Sequence, residues 1–138
     1  MERLIQVTKG VLLGMMVDLF GSFVISILLG LLLSLYLTWQ GVESGQMTSA
    51  MSEMALQPMW LTLSVLFGAL MSVAAGFVAA NQIQHNYSNA LGLMGTCLAL
   101  ISFTSTVDVL GVSTSAVFAL VTLFSVLAGG WLHSWATK

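Results

Sequence analysis

Hydrophobic residues fall into four long blocks, near residues 11–39, 59–81, 89–106 and 114–135, separated by shorter polar stretches. A helix that crosses a membrane needs about 20 consecutive apolar residues, with a range of about 17–25. The second and fourth blocks have that length and the third is at its short limit. The first exceeds it, so this segment must tilt or begin outside the hydrocarbon. In lipid every backbone N–H and C=O needs a partner within the protein, which makes each such block a helix. The pattern predicts an all-α polytopic membrane protein, with four transmembrane helices in an antiparallel bundle and residues 1–138 forming a single integral membrane domain.

Inside the first block every fourth residue is small or polar: Gly10, Gly14, Asp18, Ser22, Ser26, Gly30, Ser34 and Thr38. The second block repeats the device at Ser64, Gly68, Ser72, Gly76 and Ala80. Small residues let helix backbones approach closely, which matters in a bilayer because lipid tails give apolar helices no hydrophobic reason to associate. Four residues advance a helix by about 400°, so the stripe drifts about 40° per step. Over its whole length it turns by about 280°, too far for one straight neighbour to follow. The first helix is therefore expected to meet more than one partner, one within the chain and one in another subunit.

Composition agrees with a bilayer setting. Of 138 residues, 58% are hydrophobic and 6% charged, against about 25% charged in ordinary domains. The net charge of −2 arises from too few groups to imply a nucleic-acid partner or an acidic substrate. The expected partners are the lipid bilayer and either a second copy of the chain or another membrane protein. Arg3, Lys9 and Lys138 all lie near the ends of the sequence. An even number of spans puts both ends on one side, and the positive-inside rule makes that side cytoplasmic. The expected location is the inner (plasma) membrane. Tyr36, Trp39, Trp60, Tyr87, Trp131 and Trp135 stand at block boundaries, as interfacial aromatics do. The stretch after Arg3 and Lys9 stays apolar as far as Tyr36, beyond the apolar region of a cleaved signal, and is expected to be retained as a helix. Loop 40–58 carries Glu43 and Glu53 without a basic residue, and Met47, Met51, Met54 and Leu56 form one side of a short helix on the outer surface. Asp108 falls in the second outer connection, and Pro58 in the first turn of the second span.

Asp18 is the one acid inside a block. A charge at the bilayer centre costs at least about 2.5–3.5 kcal/mol, so it needs a partner, a water-filled cavity or a function. Two positions are open to it. If Trp39 marks the outer edge, about 20 residues of hydrocarbon bring the inner edge to Asp18 itself, near Lys9 or His133. If it is buried instead, Ser72, Thr96 and Ser125 are neighbours at similar depth, and Asp18 is a candidate proton or cation site. Cys97 reads as a small buried apolar residue, and His85 and His133 as solvated groups on the cytoplasmic side. The loop methionines read as interfacial packing rather than Cu(I) ligands, because no Cys or His accompanies them. No metal or cofactor is expected. Nor is a catalytic residue, since the chain has no paired carboxylates within a span and no His-Glu-x-x-His string.

The string Asp18-Leu19-Phe20-Gly21-Ser22 resembles the first-helix motif of small multidrug resistance transporters, where a membrane-embedded acid is followed three and four residues later by Gly and Thr. The resemblance implies that Asp18 is a shared proton and cation site in a dimer. The chain departs from that family in having Asp for Glu, a long first loop and no match to the later helices. Gly76-Phe77-Val78-Ala79-Ala80, a polar turn and Asn89-Ala90-Leu91-Gly92 resemble the central hairpin of small, uncharacterised four-span bacterial membrane proteins, which implies topology alone. Two functions are therefore expected. The first is a non-enzymatic structural or accessory subunit acting through helix–helix assembly, with Gly14 and Ser22 in the contact. The alternative is a small proton- or cation-coupled transporter or channel that uses Asp18.

Overall fold

A computed structural model describes residues 2–83 and 87–138, apart from the Arg3 side chain. The polar turn residues Gln84, His85 and Asn86 lie outside the described residues. Helix α1 spans Glu2–Trp39, α2 spans Met47–Ala55, α3 spans Pro58–Ile83 and α4 spans Tyr87–Ala136, with a short 3₁₀ turn at Ser44–Gln46. No strand occurs among the described residues. Three of these helices, α1, α3 and α4, are long and apolar enough to cross a membrane.

Helix α1 stops where Gly41 takes a left-handed φ of 82°. The Gly41 N–H then donates to the Thr38 carbonyl and the Val42 N–H to that of Leu37. These bonds cap two carbonyls that the helix would otherwise leave unpaired. Pro58 opens α3 at a position where its missing N–H costs no helical bond.

Helix α4 departs from expectation. A loop was expected between residues 106 and 114, yet helix runs through both sides of it and Asp108 is an exposed helical residue. The break is one residue, Gly111, at φ 76° and ψ 166°, a region open essentially to glycine alone. The two arms fold back on each other there. Gly95 faces Leu123 and Val126, and Gly130 faces Leu91 and Tyr87. In one straight helix Gly95 and Leu123 would stand about 42 Å apart.

Helix α3 is the centre of the molecule, with α1 on one side and α4 on the other. Gly10 packs on Ile83 and Ala79, and Gly14 on Ala75, Ala79 and Met94. Gly76 touches the Val126 backbone, and Gly129 touches the backbone at Val73 and Phe77. Around these crossings lies the core of Ala75, Ala79, Ala80, Leu91, Met94, Leu98 and Val126. Most buried positions lie toward the end of the bundle that holds Gly10, Ile83 and His133, with Leu33, Leu37 and Ser115 buried toward the other. Toward α2 and Gly111 the packing opens, and Gly30 and Gly68 have no atom within 4 Å of an added Cβ.

Candidate functional site

Asp18 sits where the sealed end gives way to the open one. Gly14, one turn before it, admits Ala75 and Met94 and so draws α1 onto α3. That approach brings Ser72 to Asp18, whose side chain is 6% exposed. The Ser72 hydroxyl donates to Asp18 Oδ1 at 2.6 Å, within the range of hydroxyl bonds to a carboxylate. Beyond Asp18 lies a cavity of about 210 Å³ between α1, α3 and both arms of α4. Its polar wall is made of hydroxyls, from Ser22, Ser64, Ser72, Ser102, Ser105 and Thr122.

A second cavity, of about 410 Å³, lies nearer the open end between α1, α2 and α3, with Met51, Ser52 and Trp60 in its wall. Ser22, Ser64 and Gly68 line both cavities. On α2, Met47, Met51 and Met54 are half-buried and Met51 lines the second cavity, while Leu56 lies exposed beyond the helix end.

Of the three hydroxyls expected beside a buried Asp18, Ser72 is in contact. Thr96 is exposed and bonds its own helix at the Gly92 carbonyl, and Ser125 lines a different groove. Lys9 is exposed. His133 is a correction to the solvated reading: it is 8% exposed and held edge-on by Phe77 and Tyr87, with ring centroids at 5.3 and 6.0 Å. Cys97 is another, because its side chain is exposed rather than buried.

The stripe divides along its length. Gly10 and Gly14 are consumed in contacts within the chain, so Gly14 is not free for assembly. Ser22 lines the two cavities, Ser26 and Gly30 line the larger one, Thr38 is exposed and Ser34 is half-buried. On α3, Ser72 and Gly76 are buried while Ser64 is exposed. The α4 hydroxyls of the site, Ser102, Ser105 and Thr122, carried no stripe or spacing that marked them. Only the reversal at Gly111 brings them to one wall. Among the described residues no group of three His, Cys, Asp or Glu side chains is close enough to hold a metal ion.

Fold and site together define a helical chain with three membrane-length apolar helices and a buried carboxylate under a hydroxyl-lined cavity. The chain matches no known protein family, no curated protein and no solved structure.

Proposed function

We propose that this chain is a small proton- or cation-coupled membrane transporter or channel in which Asp18 binds the coupling ion. The observation that carries the reading is the buried Asp18 carboxylate at the floor of a cavity walled by hydroxyls. An acid with no such cavity would be a cost without a return, whereas here polar groups extend from it toward the open end. In this reading α1, α3 and the two arms of α4 are four spans, with both chain ends on the cytoplasmic side as Arg3, Lys9 and Lys138 indicate. The 26 residues of α3 are about 39 Å long, against a hydrocarbon core of about 30 Å. A bilayer centred on α3 carries Ser72, and so Asp18, to within about 2 Å of its midplane. That depth favours the buried position over the interfacial one.

The test is flux in proteoliposomes under an imposed proton or cation gradient, compared between wild type and Asp18→Asn. The expected result is wild-type flux that falls to the protein-free level in the variant. Full, pH-dependent flux through Asp18→Asn removes the mechanism.

A further inference from the structure

We propose that the Asp18 cavity is a binding site for one monovalent alkali cation, sodium among them, held by the Asp18 carboxylate and by hydroxyl oxygens from α3 and α4. This rests on the reading of Asp18 as the ion site and names the class of ion.

The argument begins with where the hydroxyl protons go. Ser72 donates its proton to Asp18. The Thr122 hydroxyl donates to the Phe118 carbonyl at 3.0 Å, and the Ser105 hydroxyl to the Ser102 carbonyl at 3.0 Å. A hydroxyl whose proton is engaged on its own helix has only lone pairs left to offer. These three oxygens and the carboxylate therefore offer acceptors to the cavity, while the Ser22, Ser64 and Ser102 hydroxyls can rotate to donate or accept. A carboxylate with acceptor oxygens around it suits a hard cation, which takes oxygen ligands.

Charge selects the valence. Asp18 is the only acidic side chain lining the cavity, since Glu2, Glu43, Glu53 and Asp108 are all exposed elsewhere on the described residues. One negative charge balances a monovalent ion, while a divalent ion would bring an uncompensated positive charge into a low-dielectric bundle. Size agrees with a metal ion rather than a bare proton. At about 30 Å³ per water, the cavity of about 210 Å³ admits an ion together with several waters of its shell. A site that carried only a proton needs none of that volume.

The experiment is thermal unfolding of the whole protein in detergent with sodium chloride, against choline chloride at the same ionic strength. Wild type is expected to melt higher in sodium. At a concentration tenfold above Kd the folded state is favoured about elevenfold. Thr122→Val, which keeps the shape and removes the oxygen, is expected to lose at least half of the sodium shift, and Asp18→Asn all of it. Thr96→Val, altered at an exposed hydroxyl away from the cavity, is expected to keep it. Direct sodium-23 NMR line broadening on the same proteins serves where a variant is too unstable to melt cleanly. Equal melting in sodium and choline, or a shift that survives in Asp18→Asn, overturns the proposal. The result also separates the two ideas: proton flux through Asp18 with no sodium shift ends this inference alone, and sodium binding without any flux ends the transport reading alone.

Discussion

Gly76→Ala is the sharpest probe of how the helices meet. Gly76 and Gly129 form the crossing of α3 with the second arm of α4, where an added Cβ at either site runs into backbone atoms of the other helix. Backbone cannot rotate away as a flexible side chain does, so the helices must separate by roughly 1 Å. A gap of that size forfeits a quarter to a half of each van der Waals well of about 0.1–0.2 kcal/mol. Over some tens of atom pairs the loss is about 2–3 kcal/mol, the upper part of the usual overpacking range. The helix propensity of Ala over Gly returns up to about 1 kcal/mol. The net cost is about 2 kcal/mol, or about a 30-fold fall in the folded-to-unfolded ratio. Reversible unfolding in mixed micelles, followed by circular dichroism, measures it. Gly68→Ala is the control, because nothing lies within 4 Å of its new Cβ; it should be neutral or gain up to about 1 kcal/mol. The double variant Gly76→Ala/Gly129→Ala should cost less than the sum, since helices already parted by one methyl accommodate the other. Wild-type stability in Gly76→Ala, or an equal loss in Gly68→Ala, refutes the crossing.

Three further outcomes are expected. Gly111→Ala forces a side chain into a backbone region reserved for glycine and should cost about 1–3 kcal/mol in the same unfolding assay, whereas Gly92→Ala, which meets open space, should cost nothing. In proteoliposomes Cys97 should resist a charged, membrane-impermeant maleimide from both sides yet react with a lipid-soluble one; modification by both contradicts a lipid-facing position for this exposed thiol. His133→Ala should lose about 2–4 kcal/mol by opening a cavity between Phe77 and Tyr87, while His133→Phe, which keeps the edge contacts and removes the unpaired buried Nδ1, should stay within about 1 kcal/mol of wild type, a difference the same assay resolves.

What could be read from the amino acids alone follows from the solvent. Block length needs only the thickness of a bilayer, and it located α1 and α3 to within a few residues apart from the first turns of α1. Rotation about the helix axis is harder. In water an apolar stripe marks the buried face, but in lipid Leu and Val suit both the core and the outside. The exposed Cys97 and the buried Leu98 are equally apolar in pattern, so nothing in the string tells them apart. The small-residue stripe is the one rotational signal that survives; similar depth pointed to Ser72 beside Asp18, but equally to Thr96 and Ser125, which lie elsewhere. It could not anticipate α4, where the reversal rests on the φ of a single glycine among residues that are otherwise helical. The gap between the third and fourth apolar blocks, with Asp108 in it, pointed to a loop; Asp108 is accommodated within helix instead. The α4 hydroxyls of the site were hidden for the same reason, because their meeting depends on that turn.

The stripe serves packing at one end of α1 and cavity at the other. Its first two members, Gly10 and Gly14, hold α1 against α3 and seal one end of the bundle. A drift of about 40° per step then carries the following members off that interface. Ser22, Ser26 and Gly30 come to line the cavities, and Thr38 reaches the surface. Asp18 occupies the step at which contact ends and cavity begins. A stripe of period 3.5 would have kept facing α3 along its whole length and closed the space above the carboxylate. The four-residue period therefore leaves open space over Asp18 and, farther along the same helix, beside Gly30. Two variants separate these spaces: Thr122→Val should lower the sodium-dependent shift in melting, while Gly30→Leu, which fills the larger cavity, should leave that shift in place.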